Sequence, residues 1–449
     1  MRGSRGRRGR RGRGGALLAA CVAALLATAS NLSAQGVTVI RNATVVPVVG
    51  PRVPDATVVI RNGRIEAIGA GVAVPTGATV VDATGMFVYP GFIDSGTRLG
   101  LTEMGGVPGP DDTRELGDFN PQDLSLSAIN PFSEHIGVTR ANGVTSAISS
   151  PTGGLVSGVA SLINLAGWTA EEMAAKPRAG MVVTWPNERG GGGRGGFGGF
   201  GQPQRSAAER RAEYERQVRS LYQYFEDARA YAEVRGRLTA NGAVPPGSWR
   251  ANQKMEAMMA PVRGDIPVII DAENADQIRA AIQFADSLRL KVIIRGGREA
   301  WRLADTLALK RIPVVLSPTT AVPGNDAPYD EVFANAGVLH RAGVLIAFET
   351  GSASSARDLP YEVGLAIAYG LPAEEGLKAI TINPATIWGV EKDYGSLEVG
   401  KVANLIVSTG DPIDIRSQIR DVFVRGERMR FDDRHTELYE KFRARPRKP

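Results

Sequence analysis

Between residues 267 and 369 the chain alternates short, almost wholly apolar runs with amphipathic ones, and this alternation limits its fold more than any other feature. Residues 267–271, 292–295, 312–316 and 344–348 are rich in Val and Ile, the composition of strands buried on both faces. Residues 275–288, 300–309 and 361–369 repeat apolar positions near the helical period. Repeating strand–helix units require parallel strands joined by right-handed crossovers. An open doubly wound sheet and a closed (β/α)8 barrel satisfy that pattern equally well.

Both flanks read differently. Residues 37–40, 43–48, 56–61 and 65–68 are β-branched runs broken by Gly, Pro, Asn and Asp, with a tight-turn signal at Asn62-Gly63. Near the other end, 395–407 gives two more strands and 419–425 a third, closed by a turn at Gly426. Within residues 91–390, which read as strand and helix in alternation, the pattern is interrupted by a tract at 190–201, mostly glycine with Arg194, Phe197 and Phe200, followed by a charged helix over about 206–237. The tract reads as a flexible insertion loop in preference to a nucleic-acid or ligand contact. The helix carries Tyr214, Leu221, Tyr224 and Phe225 and is expected to cap the core or to form a partner surface.

The 449 residues are 43% hydrophobic and 22% charged, ordinary for a soluble protein with a large core. The basic balance is concentrated at the start. Seven arginines lie in the first fifteen residues, and without them the formal charge falls from +6 to −1. No chain-wide basic field remains, so no nucleic-acid partner is expected. An apolar run over 16–29 and the small residues Ser33-Ala34 complete an export leader, with cleavage expected near Ala34–Gln35. The run is shorter than the roughly 20 residues of a membrane span, and no stable span is expected in the mature chain. An uncleaved anchor and a lipoprotein box at Leu18-Ala19-Ala20-Cys21 are the lesser readings. Only five apolar residues precede that cysteine. Gly follows both Arg7-Arg8 and Arg10-Arg11, against twin-arginine export. Cys21 is the only cysteine, which leaves the mature chain without a thiol nucleophile, disulfide or thiolate metal site. Periplasmic or secreted location is expected.

Residues 89–100, Tyr-Pro-Gly-Phe-Ile-Asp-Ser-Gly-Thr-Arg-Leu-Gly, resemble the Pro-Gly-Phe-Ile-Asp-x-His-x-His signature of the amidohydrolase superfamily. The segment Gly395-Ser396-Leu397-Glu398-Val399-Gly400-Lys401 running to Val407 is similar to that family's closing strands, and Asn383-Pro384-Ala385 with Trp388-Gly389 to its exit helix. Within that family the chain most resembles the imidazolonepropionase-like subgroup, in secreted form. The resemblance implies a (β/α)8 TIM-like barrel with a composite β-sandwich from the N- and C-terminal strands. It divides the chain into a leader at 1–34, a sandwich from 35–90 and 391–430, a barrel over 91–390 with an insertion at about 187–255, and a basic tail at 431–449. The family's activity is metal-dependent hydrolysis of amide-type C–N bonds, usually with zinc or iron.

That metal lowers the pKa of bound water and polarises the scissile carbonyl. The resemblance places its ligands at Gly96, Arg98, Asp271, Gly296 and Gly351, with a shift of one or two residues favouring Glu349 over Gly351. Glycine offers no donor and arginine is a fixed cation. His135, His340 and His435 are the only histidines, and none lies at a predicted strand end. No transition metal is therefore expected. The pocket candidates are Asp94, Arg98, Asp271, Glu273, Arg295 and Glu349. Asp271 and Glu273 are expected to face Arg98 and Arg295 in an ion-pair network that replaces the metal's charge. The competing reading is an oxygen-ligand site for Mg, Mn or Ca from Asp271, Glu273 and Glu349, opposed by Arg98. Two functions follow. The first is a catalytically degenerate homologue that binds a ligand, forms a homo-oligomer or pairs with an active relative. The second is a divergent hydrolase with a carboxylate-based or metal-free site. Gly153, Gly154 and Gly158 either line the pocket or form a plain turn.

Overall fold

The computed structural model describes residues 36–104, 109, 111–188, 206–240, 250–321, 327–431 and 434–445. The expected leader and cleavage point, Cys21 and the glycine tract lie outside these residues. Among the described residues sixteen strands run in chain order. The first five are β1 (Val37–Val45), β2 (Val53–Arg61), β3 (Arg64–Ala70), β4 (Thr79–Asp82) and β5 (Phe87–Pro90). Eight follow: β6 (Phe92–Thr97), β7 (Val144–Ser149), β8 (Val156–Asn164), β9 (Ala174–Thr184), β10 (Val268–Ala272), β11 (Val292–Gly296), β12 (Val314–Leu316) and β13 (Ile346–Phe348). The last three are β14 (Leu405–Ser408), β15 (Ile419–Val424) and β16 (Glu427–Arg428).

β6 to β13 form one eight-stranded sheet in sequence order. It curls into a nearly closed barrel: Gly351, just past β13, donates its N–H to the Gly96 carbonyl on β6 at 2.8 Å. Inward residues of alternating strand positions fill the barrel, among them Ile93, Ile148, Val182, Ile269, Ile293, Val315 and Ala347. Trp388, just past the helix Ile382–Ile387, is 1% exposed and packs into the same core. The outward residues meet the helices in a second, larger core. The helix Ala275–Leu288 shows why these helices form where they do. Asn274 and Gln277 close a capping box at its start, and Ile278, Ala281, Ile282, Ala285 and Leu288 line one buried stripe.

β8 departs from the all-parallel expectation. It pairs antiparallel with both β7 and β9. Its connections explain the reversal: a short loop leads in from Ser149 to Val156, and a single-turn helix, Ala170–Met173, leads out. A parallel crossover needs a dozen residues or more.

The terminal strands share a second eight-stranded sheet, ordered β16-β15-β14-β5-β1-β2-β3, with β4 paired to β1. Its joint is β14, which pairs antiparallel with β5 from Leu405 opposite Pro90 to Ser408 opposite Phe87. Two local expectations are corrected. Residues 37–45 form one bulged strand, β1, whereas two runs, at 37–40 and 43–48, were expected. Of 395–407 only the end is strand. Gly395 and Gly400 take left-handed φ values of 89° and 92°, and the Gly400 N–H is drawn to the Ile65 carbonyl. The helix Ala207–Ala240 lies in the predicted insertion and sends Leu221, Phe225 and Ala228 into the outer core. The tail forms the helix Arg434–Arg443. No helix among the described residues is long and apolar enough to cross a membrane.

Candidate functional site

A barrel of parallel strands delivers polar side chains to one rim, at the strands' C-terminal ends. Here that rim receives Ser150 after β7, Asp271 and Glu273 from the end of β10, Arg295 from β11, Ser317 after β12, and Glu349 and Thr350 after β13. Arg98 follows β6 directly and is partly buried. Asp94 lies deeper, within β6, and is fully buried.

Arg295 organises the rim. It stands directly opposite Asp271 in the parallel register of β10 and β11. Its Nε donates to Asp271 Oδ1 at 2.6 Å and its Nη2 to Oδ2 at 2.9 Å, a two-pronged carboxylate–guanidinium pair. Its Nη1 donates to Ser150 Oγ at 2.8 Å, and Glu349 Oε2 lies 3.9 Å from Nε. Burial works against the guanidinium's charge, but the carboxylates of Asp271, Glu349 and Glu273 outweigh it and hold the proton above arginine's ordinary value. Glu273 receives Ser317 Oγ at 3.1 Å on each of its oxygens.

The two glycines on this rim have a steric role. Gly96 leaves space that the Glu349 carboxylate fills, and a Cβ at position 96 would fall on Glu349 Oε2. Gly296 does the same for Glu273, whose Oε1 lies 2.8 Å from where a Cβ would stand. Gly296 also has a φ of 96°, which L-residues with a side chain rarely adopt. Each glycine is thus matched by a glutamate from another strand end.

Asp94 ties the seam where the barrel closes. Its Oδ2 accepts from Thr350 Oγ1 at 2.6 Å, and its Oδ1 from the N–H groups of Gly96 and Thr350 at 3.1 and 3.2 Å. Burial pushes this carboxyl up to about 8, the nearby Glu349 adds to the rise, and the hydrogen bonds hold it back.

The three histidines sit on helices Glu134–Ala141, Glu331–Arg341 and Arg434–Arg443, away from strand ends. His135 Nε2 is 3.1 Å from the Glu103 carbonyl, and His340 Nδ1 is 3.8 Å from Glu375 Oε2. Gly153 and Gly154 belong to the tight turn between β7 and β8. Sequence reasoning missed Ser150, Ser317 and Thr350, because isolated hydroxyl residues carry no pattern. It also missed the register of Val268-Ile269-Ile270-Asp271 against Val292-Ile293-Ile294-Arg295, which the matching spelling of the two runs contains.

The amidohydrolase family profile matches residues 299–429, across the last barrel strands and into the terminal sheet. An amidohydrolase of Thermotoga maritima MSB8, known as a crystal structure, superposes with a TM-score of 0.76 at 28% identity, covering 87% of this chain and 99% of that one. Both findings make amidohydrolases the proteins this chain is similar to. Amidohydrolase tasK of Hapsidospora irregularis is 24% identical over 393 residues, covering 80% of this chain. The chain spans 38% of that relative's length. A molinate hydrolase structure, at 18% identity and a TM-score of 0.56 over 92% of this chain and 98% of that one, shares the fold.

The superfamily's catalytic metal does not suit this rim. Of the five positions the sequence resemblance assigns as ligands, 96, 296 and 351 are glycines without a donor and 98 is an arginine. The fifth, Asp271, has both oxygens committed to Arg295. Among the described residues no three His, Cys, Asp or Glu side chains are gathered to hold an ion.

Proposed function

We propose that this is a non-hydrolysing member of the superfamily, exported to the periplasm or beyond, that acts as a binding or partner subunit. The observation that carries this reading is Arg295. A fixed guanidinium supplies positive charge at the rim, but it holds no water whose pKa it can lower to about 7, as a catalytic metal does. At three of the five ligand positions glycine offers no donor, and at 96 and 296 the space a side chain would need is filled by Glu349 and Glu273. The leader-like arginine block and apolar run support export. The test is metal analysis of the purified protein alongside hydrolysis assays on cyclic amides and dipeptides, with and without zinc. Absence of stoichiometric metal and of turnover is expected. Chelator-sensitive amide hydrolysis would make the chain an enzyme of the family type.

One observation favours a second reading, a metal-free hydrolase. Ser317 Oγ sits at hydrogen-bond distance from both Glu273 oxygens, the arrangement of a hydroxyl beside a base. On that reading, turnover resists chelators and disappears in Ser317→Ala.

A further inference from the structure

The helix Arg434–Arg443 rests against the helix Glu134–Ala141 and buries none of its residues. Its apolar side chains are nevertheless sorted to one face. At 3.6 residues per turn Leu438, Phe442 and Tyr439 fall on a single arc, with His435 among them. These side chains stand in water: Leu438 is 36% exposed, Tyr439 62% and Phe442 59%. Charge is sorted around the same arc. By the same count Arg434 and Lys441 border it on one side and Arg443 on the other, while Glu437 and Glu440 lie opposite. Arg443 pairs with Glu440 at 2.7 Å, and its guanidinium lies 5.7 Å from the centre of the Tyr439 ring. Charge is also graded along the chain. Asp432 and Asp433 precede the helix, whereas residues 441–449 hold five Lys or Arg and no Asp or Glu.

We propose that this helix lies flat on an anionic lipid surface, with Leu438, Tyr439 and Phe442 entering the boundary between headgroups and acyl chains. An apolar arc bordered by cations, with the acids turned away, is the pattern of an interfacial helix. The charge is complementary to that partner, since the basic end meets headgroup phosphates. A nucleic acid would engage the same cations but leave Leu438 and Phe442 in water. Three apolar side chains give only reversible attachment, and the cations beside them supply the rest. The inference goes beyond the function proposed above and stands apart from it, because attachment at the tail requires neither turnover in the barrel nor its absence.

The test is hydrogen exchange of the full chain, read by mass spectrometry in peptides spanning residues 434–445. Vesicles of phosphatidylcholine are compared with vesicles containing phosphatidylglycerol. Binding through the arginine block at the start of the chain leaves these peptides unchanged, so the readout reports this helix alone. Protection is expected on the phosphatidylglycerol vesicles, not on phosphatidylcholine, and is lost in high salt. Lys441→Gln and Arg445→Gln should each weaken it about fivefold in a lipid titration. Tyr439→Ser combined with Phe442→Ser should abolish it and leave the melting temperature unchanged, because neither side chain is buried. Unchanged exchange on phosphatidylglycerol overturns the proposal, as does equal protection on both lipids. Protection that appears with rising protein concentration and no lipid would make the face an interface between two copies and overturn it. So would protection by a DNA duplex that survives the double substitution.

Discussion

Gly96 and Glu349 are the pair on which the rim's packing turns. A side chain at position 96 has nowhere to go, because the Glu349 carboxylate is already there and only 2% exposed. Gly96→Ala should therefore destabilise the fold by the roughly 1–3 kcal/mol of an overpacked core. Adding Glu349→Ala should return much of that loss, a non-additivity that thermal melts of the two single variants and the double variant would show. If the single losses simply add, the two residues are not sterically coupled. Asp94 gives a prediction in pH. Its folded value of about 8 is well above its ordinary 3.8, so in that interval the folded chain keeps a proton that the unfolded chain has released. The contribution to stability is whole below 3.8, falls as pH rises towards about 8, and is level beyond. Asp94→Asn carries no charge to bury and should flatten this decline, which denaturant titrations across the interval can measure. An unchanged slope would mean that Asp94 is not the group responsible. The rim's cast of charged residues was legible in the sequence: Asp271, Glu273, Arg295 and Glu349 all follow from aligning strand ends with a known signature. Their pairing was less so. The in-register pairing of Arg295 with Asp271 is the case in point, because chain-order reasoning does not weigh which strand lies next to which.

At the scale of elements, the strands of the barrel were readable where they are buried on both faces, as β10 and β11 are. β8 and β9 were passed over because alanine, glycine and serine dilute their apolar signal, although every residue of β8 is buried. Strand direction is invisible to periodicity, which is the same in either sense, and only the brevity of the connections around β8 encodes its reversal. The exit helix, in contrast, carried a clear signature. Trp388 inserts among the inward side chains of the barrel, its Nε1 donates to Ser95 Oγ at 3.2 Å, and its carbonyl accepts from Lys176 Nζ at 2.7 Å. One residue thus fastens the end of the helix to β6 and β9 together. Trp388→Ala should cost about 3–5 kcal/mol through the cavity it leaves. A loss below ~1 kcal/mol on denaturant unfolding would show that the barrel interior closes without it.

At the scale of the molecule, the two ends of the chain make one structure. β14 is the seam, hydrogen-bonded to β5 from the beginning of the chain and to β15 from its end. Behind the seam Val88, Ile60 and Ile65 from the N-terminal strands share a core with Leu405, Val407 and Phe423 from the C-terminal ones. The β-rich composition of both flanks announced strands at each end, and the family signature announced that they meet. The pairing partner of β14 depends on contacts more than 300 residues apart, which no local pattern specifies. Ending the chain after Val390 removes β14, β15 and β16 and leaves the outer side of β5 without a partner. The barrel would remain, but with an open strand edge and an uncovered apolar face, the combination that drives association. Such a chain should be recovered in the insoluble fraction, and co-expression of residues 391–449 as a separate polypeptide should return part of it to solution. A truncated chain that is soluble and monomeric, with unchanged hydrogen-exchange protection across β1, β2 and β5, would show that the terminal sheet is an appendage of the barrel and that its N-terminal half holds together by itself.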